Sequence, residues 1–323
     1  MSFQNDMIID NGTGAAVRSD LTDAFKSLAN NSSGSSAPST NYPSQFFANT
    51  STSIMQINNT SGNAFINLFT LAGGPAFAVD GTINSVNIGK GANSVAGNTV
   101  LGESALDAAV TGANNVAIGQ QALTTNTSGH SNAAIGYQAL FTNTTGHDNS
   151  ALGRAALYYN TTGANNVAVG HDALVSNTTG GSNVAIGDTA LDANTTASNN
   201  TAVGSAALGA NTTGDGNTAV GRSALLVNTT GFSNVAVGAF ALDANTTGDR
   251  NIAIGNVALS ANTTADGNVA IGDNALQVNT TGAGNVGIGK FALNANTTAG
   301  DNTAVGNNAL TANTTGDSNT GLG

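Results

Sequence analysis

From residue 102 to residue 323, hydrophobic and polar positions recur along the chain every 17 residues. The typical unit, residues 115–131, reads Asn-Val-Ala-Ile-Gly-Gln-Gln-Ala-Leu-Thr-Thr-Asn-Thr-Ser-Gly-His-Ser, and its Gly and Ala-Leu positions return in unit after unit. A fixed period of this size is typical of architectures in which stacked repeats contact only their neighbours. The pattern therefore predicts a repeat protein and disfavours a globular enzyme.

The unit predicts strands and turns, because its Gly and Asn-Thr-Thr elements recur too densely for a helix to form between them. We predict two short strands per unit. The first covers residues 115–118, Gly119 begins a tight turn, the second centres on Ala122 and Leu123, and residues 126–129 turn back. One unit then forms one coil of a parallel β-solenoid, and about 13 coils stacked at about 4.8 Å form a rod roughly 60 Å long.

Each constant position of the unit becomes a ladder along this rod. Asparagine ladders would join side-chain amides from coil to coil without charge, and glycines would supply the positive φ that corners need. The Ile118-type and Leu123-type side chains are expected to form the core. The predicted structural ladder comprises Gly119, Ala122, Leu123, Asn126, Asn132, Gly136, Leu140 and Asn143.

The second strand predicts an oligomer. Successive strand residues point to opposite faces, so constant Ala122-type and Leu123-type positions imply that both faces are constrained. A coil core built from so few side chains is thin, and apposed Ala-rich faces of several chains would supply further burial. We therefore predict a parallel homotrimer. Aromatic residues at variable positions are expected to pack between the chains: Phe141, Tyr158, Tyr159, Phe232, Phe240 and Phe291.

The residues before the repeat form a different, small α+β module. We predict an attachment segment with a short helix at 1–31, a linker at 32–44, a β meander at 45–80, a transition at 81–101 and the solenoid shaft at 102–323. In the helix, Val17, Leu21, Ala24 and Leu28 lie on one narrow apolar stripe. Such a stripe is typical of a coiled-coil seam, so these four residues are the predicted oligomer seam.

Composition excludes several functions. The net charge is -11 and the chain has only seven Lys and Arg residues, which disfavours nucleic acid and anionic membranes as partners. The amino terminus lacks the basic start and apolar core of a secretory signal, so synthesis in a cytoplasm is expected. Zero Cys excludes disulfides and thiolate metal sites.

Candidate chemistry is sparse. His130, His147 and His171 are the three histidines, and they are expected at exposed variable positions. Acidic residues gather at coil corners, where solvation is the expected role: Asp249, Asp266, Asp301 and Asp317. We predict no catalytic residues, no cofactor and no metal site.

The units "NVAIGQQALTTNTSG" and "NVAVGHDALVSNTTG" resemble the repeat shafts of phage and prophage tail fibres, and they are also similar to the head repeats of trimeric autotransporter adhesins. The segment "MSFQNDMIIDNGTGAAVRSDL" resembles the attachment end of phage tail fibres. The resemblance implies a homotrimeric virion fibre exposed to the extracellular medium. Its amino end would bind a phage tail or baseplate protein, and its far end would face a glycan or protein of the host surface.

Two alternatives remain open at this point. A cell-surface trimeric adhesin head would require export, for which the amino terminus shows no signal. An ice-binding β-solenoid would use threonine ladders to order water, although the Thr127-type residues are expected at a corner and not along one strand.

Overall fold

The computed structural model describes residues 33–34, 46–49, 54–58, 65–70, 81–83 and 86–323 of a chain that divides into two units, Met1–Val79 and Asp80–Gly323. In the first unit, β1 (Ser33–Gly34), β2 (Phe46–Asn49), β3 (Ile54–Asn58) and β4 (Phe65–Thr70) form one sheet. The strands β2, β3 and β4 are antiparallel neighbours, and β1 pairs with β2 in parallel. The predicted seam of Val17, Leu21, Ala24 and Leu28 lies outside the described residues.

The second unit is a parallel β-solenoid of about 13 turns, which confirms the predicted fold. The strands β5 (Gly81–Ile83), β6 (Val86–Gly89) and β7 (Thr99–Gly102) are antiparallel neighbours, and a short 3-10 helix at Ala92–Ser94 lies between β6 and β7. From β7 onward every strand pairs in parallel with the next. These strands are β8 (Val116–Ile118), β9 (Ala133–Ile135), β10 (Ser150–Leu152), β11 (Val167–Val169), β12 (Val184–Ile186), β13 (Thr201–Val203), β14 (Thr218–Val220), β15 (Val235–Val237), β16 (Ile252–Ile254), β17 (Val269–Ile271), β18 (Val286–Ile288), β19 (Thr303–Val305) and β20 (Thr320–Leu322).

Each coil contains one strand, so the predicted second strand is wrong. Gln121 and Leu123 have φ of 60° and 52°, in the left-handed region, and the equivalent residues repeat this conformation in the following coils. A strand needs φ near −120°. The backbone groups remain paired, because the Leu123 N–H donates to Ala139 O at 3.0 Å in the next coil. The segment is therefore a stacked turn with its own ladder.

The core is formed by two alanines and one leucine per coil. Ala117, Ala122 and Leu123 are fully buried within the single chain, and so are their equivalents through most of the solenoid. The predicted Ala-rich face between chains is therefore wrong. Because Leu123 adopts left-handed φ, the alternation that would point Ala122 and Leu123 to opposite faces does not apply.

The expectation that Ile118-type side chains fill the core is also wrong. In each three-residue strand of β8 to β20 the middle residue, which is alanine except for Gly287 and Gly321, points inward, so the residues on either side point outward. Ile186 is 38% exposed while Ala185 is fully buried. The interior of the coil is thus narrower than the sequence suggested, and only small side chains fit opposite the leucine.

The glycine that follows each strand sets the corner. Gly204 has φ of 134°, and a Cβ placed on it would lie 2.6 Å from the backbone carbon of Gly221 in the next coil. Few residues other than glycine adopt this conformation. The requirement explains why this position is glycine in every unit.

Candidate functional site

An asparagine ladder runs through the buried interior at the Asn126-type positions. The Asn143 Nδ2 donates to Asn126 Oδ1 of the preceding coil at 2.8 Å and to Gly146 O of its own coil at 3.0 Å. The Asn160 Nδ2 donates in turn to Asn143 Oδ1 at 2.9 Å. These side chains are fully buried. Each amide is thus both donor and acceptor, which offsets the cost of burying it.

A second ladder joins the Asn132-type residues that precede each strand. The backbone N–H of Asn132 donates to Asn115 Oδ1 at 3.0 Å, and the Asn132 Nδ2 donates to Gly146 O at 2.9 Å. Gly146 O therefore accepts from both ladders, since Asn143 also donates to it. The two ladders form one cross-linked amide network along the solenoid. It stabilises coil–coil stacking without charge.

The predicted ladder residues occupy the following places. Gly119 and Gly136 form the corner after the strand, and Ala122, Leu123 and Leu140 lie in the core. Asn126 and Asn143 belong to the first amide ladder and Asn132 to the second.

One side of the solenoid is an outward-facing apolar sheet. We define the sheet face as the residues that flank the buried middle residue of strands β7 to β20. The residues after the middle position are Val, Ile or Leu in every one of these strands, those before it also include Ser and Thr, such as Thr99 and Ser150, and none of the members is charged. Partly or largely exposed examples are Leu101, Ile135, Leu152, Ile186, Val220, Ile254, Ile288, Val305 and Leu322. Sequence reasoning missed this face because it assigned these side chains to the core.

A run of charged side chains lies on successive coils just after the strands. His171 Nδ1 lies 3.1 Å from Asp188 Oδ1, His171 Nε2 lies 3.4 Å from Asp172 Oδ2, and the Arg154 guanidinium contacts His171 Nε2. The Asp188 side chain is largely exposed and those of His171 and Asp172 are partly exposed. Pairs of this kind contribute little to stability in water.

The other two histidines stack on each other. The ring centroids of His130 and His147 are 4.9 Å apart, and His147 Nδ1 lies 2.9 Å from Asp148 Oδ2. Within residues 86–323, no group of three His, Asp or Glu side chains is arranged to hold a metal ion.

The acidic corner residues bind backbone groups of the preceding coil. Asp266 Oδ1 accepts from the backbone N–H of Asp249 at 2.8 Å, and Asp317 Oδ1 accepts from that of Gly300 at 2.7 Å. Asp301 is exposed at the same corner. The carboxylates of Asp266 and Asp317 therefore satisfy backbone donors as well as carrying charge to solvent.

The variable aromatic residues have partners within their own chain. Phe141 stacks on Tyr158 at 5.0 Å between ring centroids, and Tyr158 meets the edge of Tyr159 at 4.6 Å. Cations cover the remaining rings: Arg222 lies 4.4 Å from Phe240, Arg250 lies 4.8 Å from Phe232, and Lys290 lies 4.9 Å from Phe291. Most of these contacts join neighbouring coils, so aromatic residues add to stacking.

Two aspartates at equivalent positions are partly buried. Desolvation by burial raises the pKa of Asp192 and of Asp243 above the ordinary value of 3.8, against hydrogen bonds from the backbone that lower it. At Asp192 the charges of Asp172 and Asp188 raise the pKa further. Such a shift makes the ionised form unfavourable in the folded chain.

Comparisons with known proteins identify no relative. No family model, no curated protein and no solved structure matches the chain. In the described part of the chain, none of the helices has the length and apolar character needed to cross a membrane.

Proposed function

We propose that the chain is the shaft of a phage tail fibre, a structural protein that links a virion to the surface of its host. In this proposal the chain is a parallel homotrimer, its amino-terminal part binds a phage tail or baseplate protein, and its far end faces a glycan or protein of the host. The mature fibre is exposed on the virion after synthesis in the host cytoplasm.

The observation that carries the proposal is the unbroken stacking of about 13 turns in constant register. Stacked coils make a rod whose length is set by the number of repeats, here roughly 60 Å at about 4.8 Å per coil. Two continuous asparagine ladders, cross-linked into one network, run along it, and such hydrogen-bonded stacking resists bending and sliding. A stiff spacer of defined length is what an adsorption fibre requires. The sequence resemblance of the repeat and of the amino-terminal segment gives independent support.

The test is to locate the protein on particles. Antibodies against residues 1–31 and against the last coil are applied to the phage particles that are released by cells carrying the gene, and the labelled particles are viewed by electron microscopy. We expect both to label the tail region and the purified chain to compete with particles for adsorption. Labelling of cell envelopes in particle-free cultures, with unlabelled particles, would overturn the proposal and favour the adhesin alternative.

A deletion tests the spacer role. Removing residues 200–233, two whole units, keeps every ladder in register, so we expect attached fibres shortened by about 10 Å. The matched control removes residues 200–224, which breaks the register and should abolish assembly. Loss of fibres from both deletions would argue against a modular spacer.

A further inference from the structure

The sheet face carries a constraint that the interior of the coil does not explain. Its residues after the middle position of each strand are Val, Ile or Leu in every unit, although they point outward. Other outward positions vary freely: the residue after the corner glycine is Tyr137, Arg154, His171 or Asp188 in successive coils. Outward side chains that never vary in character imply contact with something outside the coil.

We propose that the sheet face packs against the sheet face of further copies of this same chain. This surface, and not the alanines of the turn, would hold together the oligomer of the proposed function. The inference rests on the self-association in that proposal and is independent of the virion to which the fibre belongs.

The area of the face is sufficient for such an interface. About 13 coils at about 4.8 Å, each with a three-residue strand about 10 Å long, give a face of roughly 60 Å by 10 Å, or about 600 Å². This is the upper limit for an apolar patch on a typical monomer, which is roughly 300–600 Å². Two such faces together remove about 1,200 Å² from water, which reaches the range of stable interfaces.

The periodicity of the face selects its partner. Side chains on the face recur with the strand spacing, at about 4.8 Å, over the whole length of the solenoid. Close packing along that length requires a partner whose side chains recur at the same spacing, as in paired sheets with interdigitating ladders. A second copy of this chain has that spacing because it has the same stacked strands. The absence of charge on the face also favours a partner face that is equally uncharged.

The first experiment changes the face without touching the core. The double variant Ile186→Asp, Val203→Asp places two carboxylates on the face, where both side chains already reach solvent in the single chain. The control, Thr196→Asp with Thr213→Asp, adds the same charge at exposed positions of the same two coils. Light scattering gives the mass of each full-length chain, and far-UV circular dichroism reports folding.

We expect the unmodified chain and the control to have a multiple of the 31.5 kDa chain mass, and the face variant to have the mass of one folded chain. An unmodified chain that is monomeric, or a face variant that keeps the oligomer mass, would overturn the inference. The antibody labelling of particles tests the proposed function separately. If particles stay unlabelled while the face variant dissociates the oligomer, the tail-fibre function is refuted and the proposed interface is supported.

A second measurement decides the matter if the face variant fails to fold. The chain has no cysteine, so Ile186→Cys and Thr196→Cys each introduce a single thiol. We expect maleimide to label the thiol at position 186 at least about tenfold more slowly than that at 196, because a thiol within an interface is inaccessible to the reagent. Equal labelling rates would contradict the interface.

Discussion

Asn211 provides the sharpest test of the amide network. Its side chain is fully buried, and its Nδ2 donates to Asn194 Oδ1 at 3.1 Å and to Gly214 O at 3.0 Å. Its Oδ1 accepts from Asn228 Nδ2 at 2.9 Å. Truncation by Asn211→Ala removes all three hydrogen bonds and interrupts one ladder in the middle of the solenoid.

The expected loss of stability follows from which of the neighbouring polar groups keep a hydrogen-bond partner. Gly214 O still accepts from Asn200 Nδ2 at 2.9 Å, and Asn228 Nδ2 still donates to Gly231 O at 2.9 Å. The Asn194 Oδ1 acceptor and one N–H of Asn228 lose their ladder partner. At about 1–3 kcal/mol for each buried group left unsatisfied, we expect a loss of about 4 kcal/mol in the free energy of unfolding.

The variant Asn211→Asp separates charge from shape. It keeps the acceptor for Asn228 but turns an oxygen toward Asn194 Oδ1 and Gly214 O, which are themselves acceptors. Burial raises the pKa of the introduced carboxyl, so the folded state binds more protons than the unfolded state between the two pKa values, and stability falls as pH rises through that window. We therefore expect a larger loss than for alanine at pH 7, with partial recovery in acid.

The assay is urea unfolding of the full chain followed by circular dichroism, with all variants at one protein concentration. The exposed Thr213→Ala in the same coil serves as the control and should change stability by less than about 0.5 kcal/mol. If Asn211→Ala were as mild as Thr213→Ala, the ladder would not be a source of stability and the reasoning would be refuted.

Three further predictions concern single positions. Gly204→Ala should lower the free energy of unfolding by about 3 kcal/mol or more, because only glycine readily adopts its φ of 134° and the added Cβ would lie 2.6 Å from the Gly221 backbone. Gly214→Ala in the same coil should cost less, although its Cβ would also meet the Gly231 carbonyl oxygen, because its φ lies outside the left-handed region and other units have alanine there, as at Ala197; similar urea midpoints would contradict this. Val257→Asn should increase the free energy of unfolding by about 1 kcal/mol and so raise the melting temperature, because a β-branched residue is strained at the φ of 57° found at Val257. An unchanged or lower melting temperature would contradict this strain. Asp243→Asn should stabilise the chain at pH 7, because burial raises the pKa of Asp243 and therefore penalises its ionised form in the folded chain. This penalty is present above the folded-state pKa and disappears as pH falls toward the ordinary value of 3.8, so the gain in stability should disappear over the same range. A gain that is equal at all pH values would refute burial of the charge as its cause.

The sequence predicted the solenoid because its signals act at a single spacing. Identical residues 17 positions apart must occupy identical environments when coils stack, so glycine corners and asparagine ladders follow from the period alone. The seam residues of the amino-terminal helix lie outside the described residues and stay a prediction.

What the sequence did not predict depends on the conformation of the turn. Leucine is rare in the left-handed region, so propensity gives no reason to place Leu123 there, and a strand was the natural inference. One signal for a left-handed residue was present at another turn: the residue before the asparagine that precedes each strand, such as Ser131, Asn165 or Gly267, is mostly Ser, Asn, Asp or Gly, and it has φ near 60° in the structure. Those residue types favour left-handed conformation.

The sequence pattern also predicted the wrong strand side chains to point into the coil, for a related reason. A pattern of large, small and large residues suggests that the large ones are the core, and alternation alone does not say which face is inward. The answer depends on the width of the coil, which is set by the turn opposite the strand. Because Ala122 and Leu123 both point inward from that turn, the inward position of the facing strand holds alanine or glycine in β8 to β20, and the Val and Ile side chains point outward.

Stacking without charge leaves the exterior free to vary. Coil–coil contacts in the interior are backbone hydrogen bonds, asparagine amides and apolar side chains, none of which salt screens. Charged and aromatic residues such as Arg154, His171 and Phe232 occupy outward positions where a substitution leaves the ladders intact. The residues of the sheet face that follow the buried middle residue are the exception, since they point outward and yet are Val, Ile or Leu in every unit. A solenoid of this design can therefore change its variable surface from coil to coil while one row of its sheet face stays apolar.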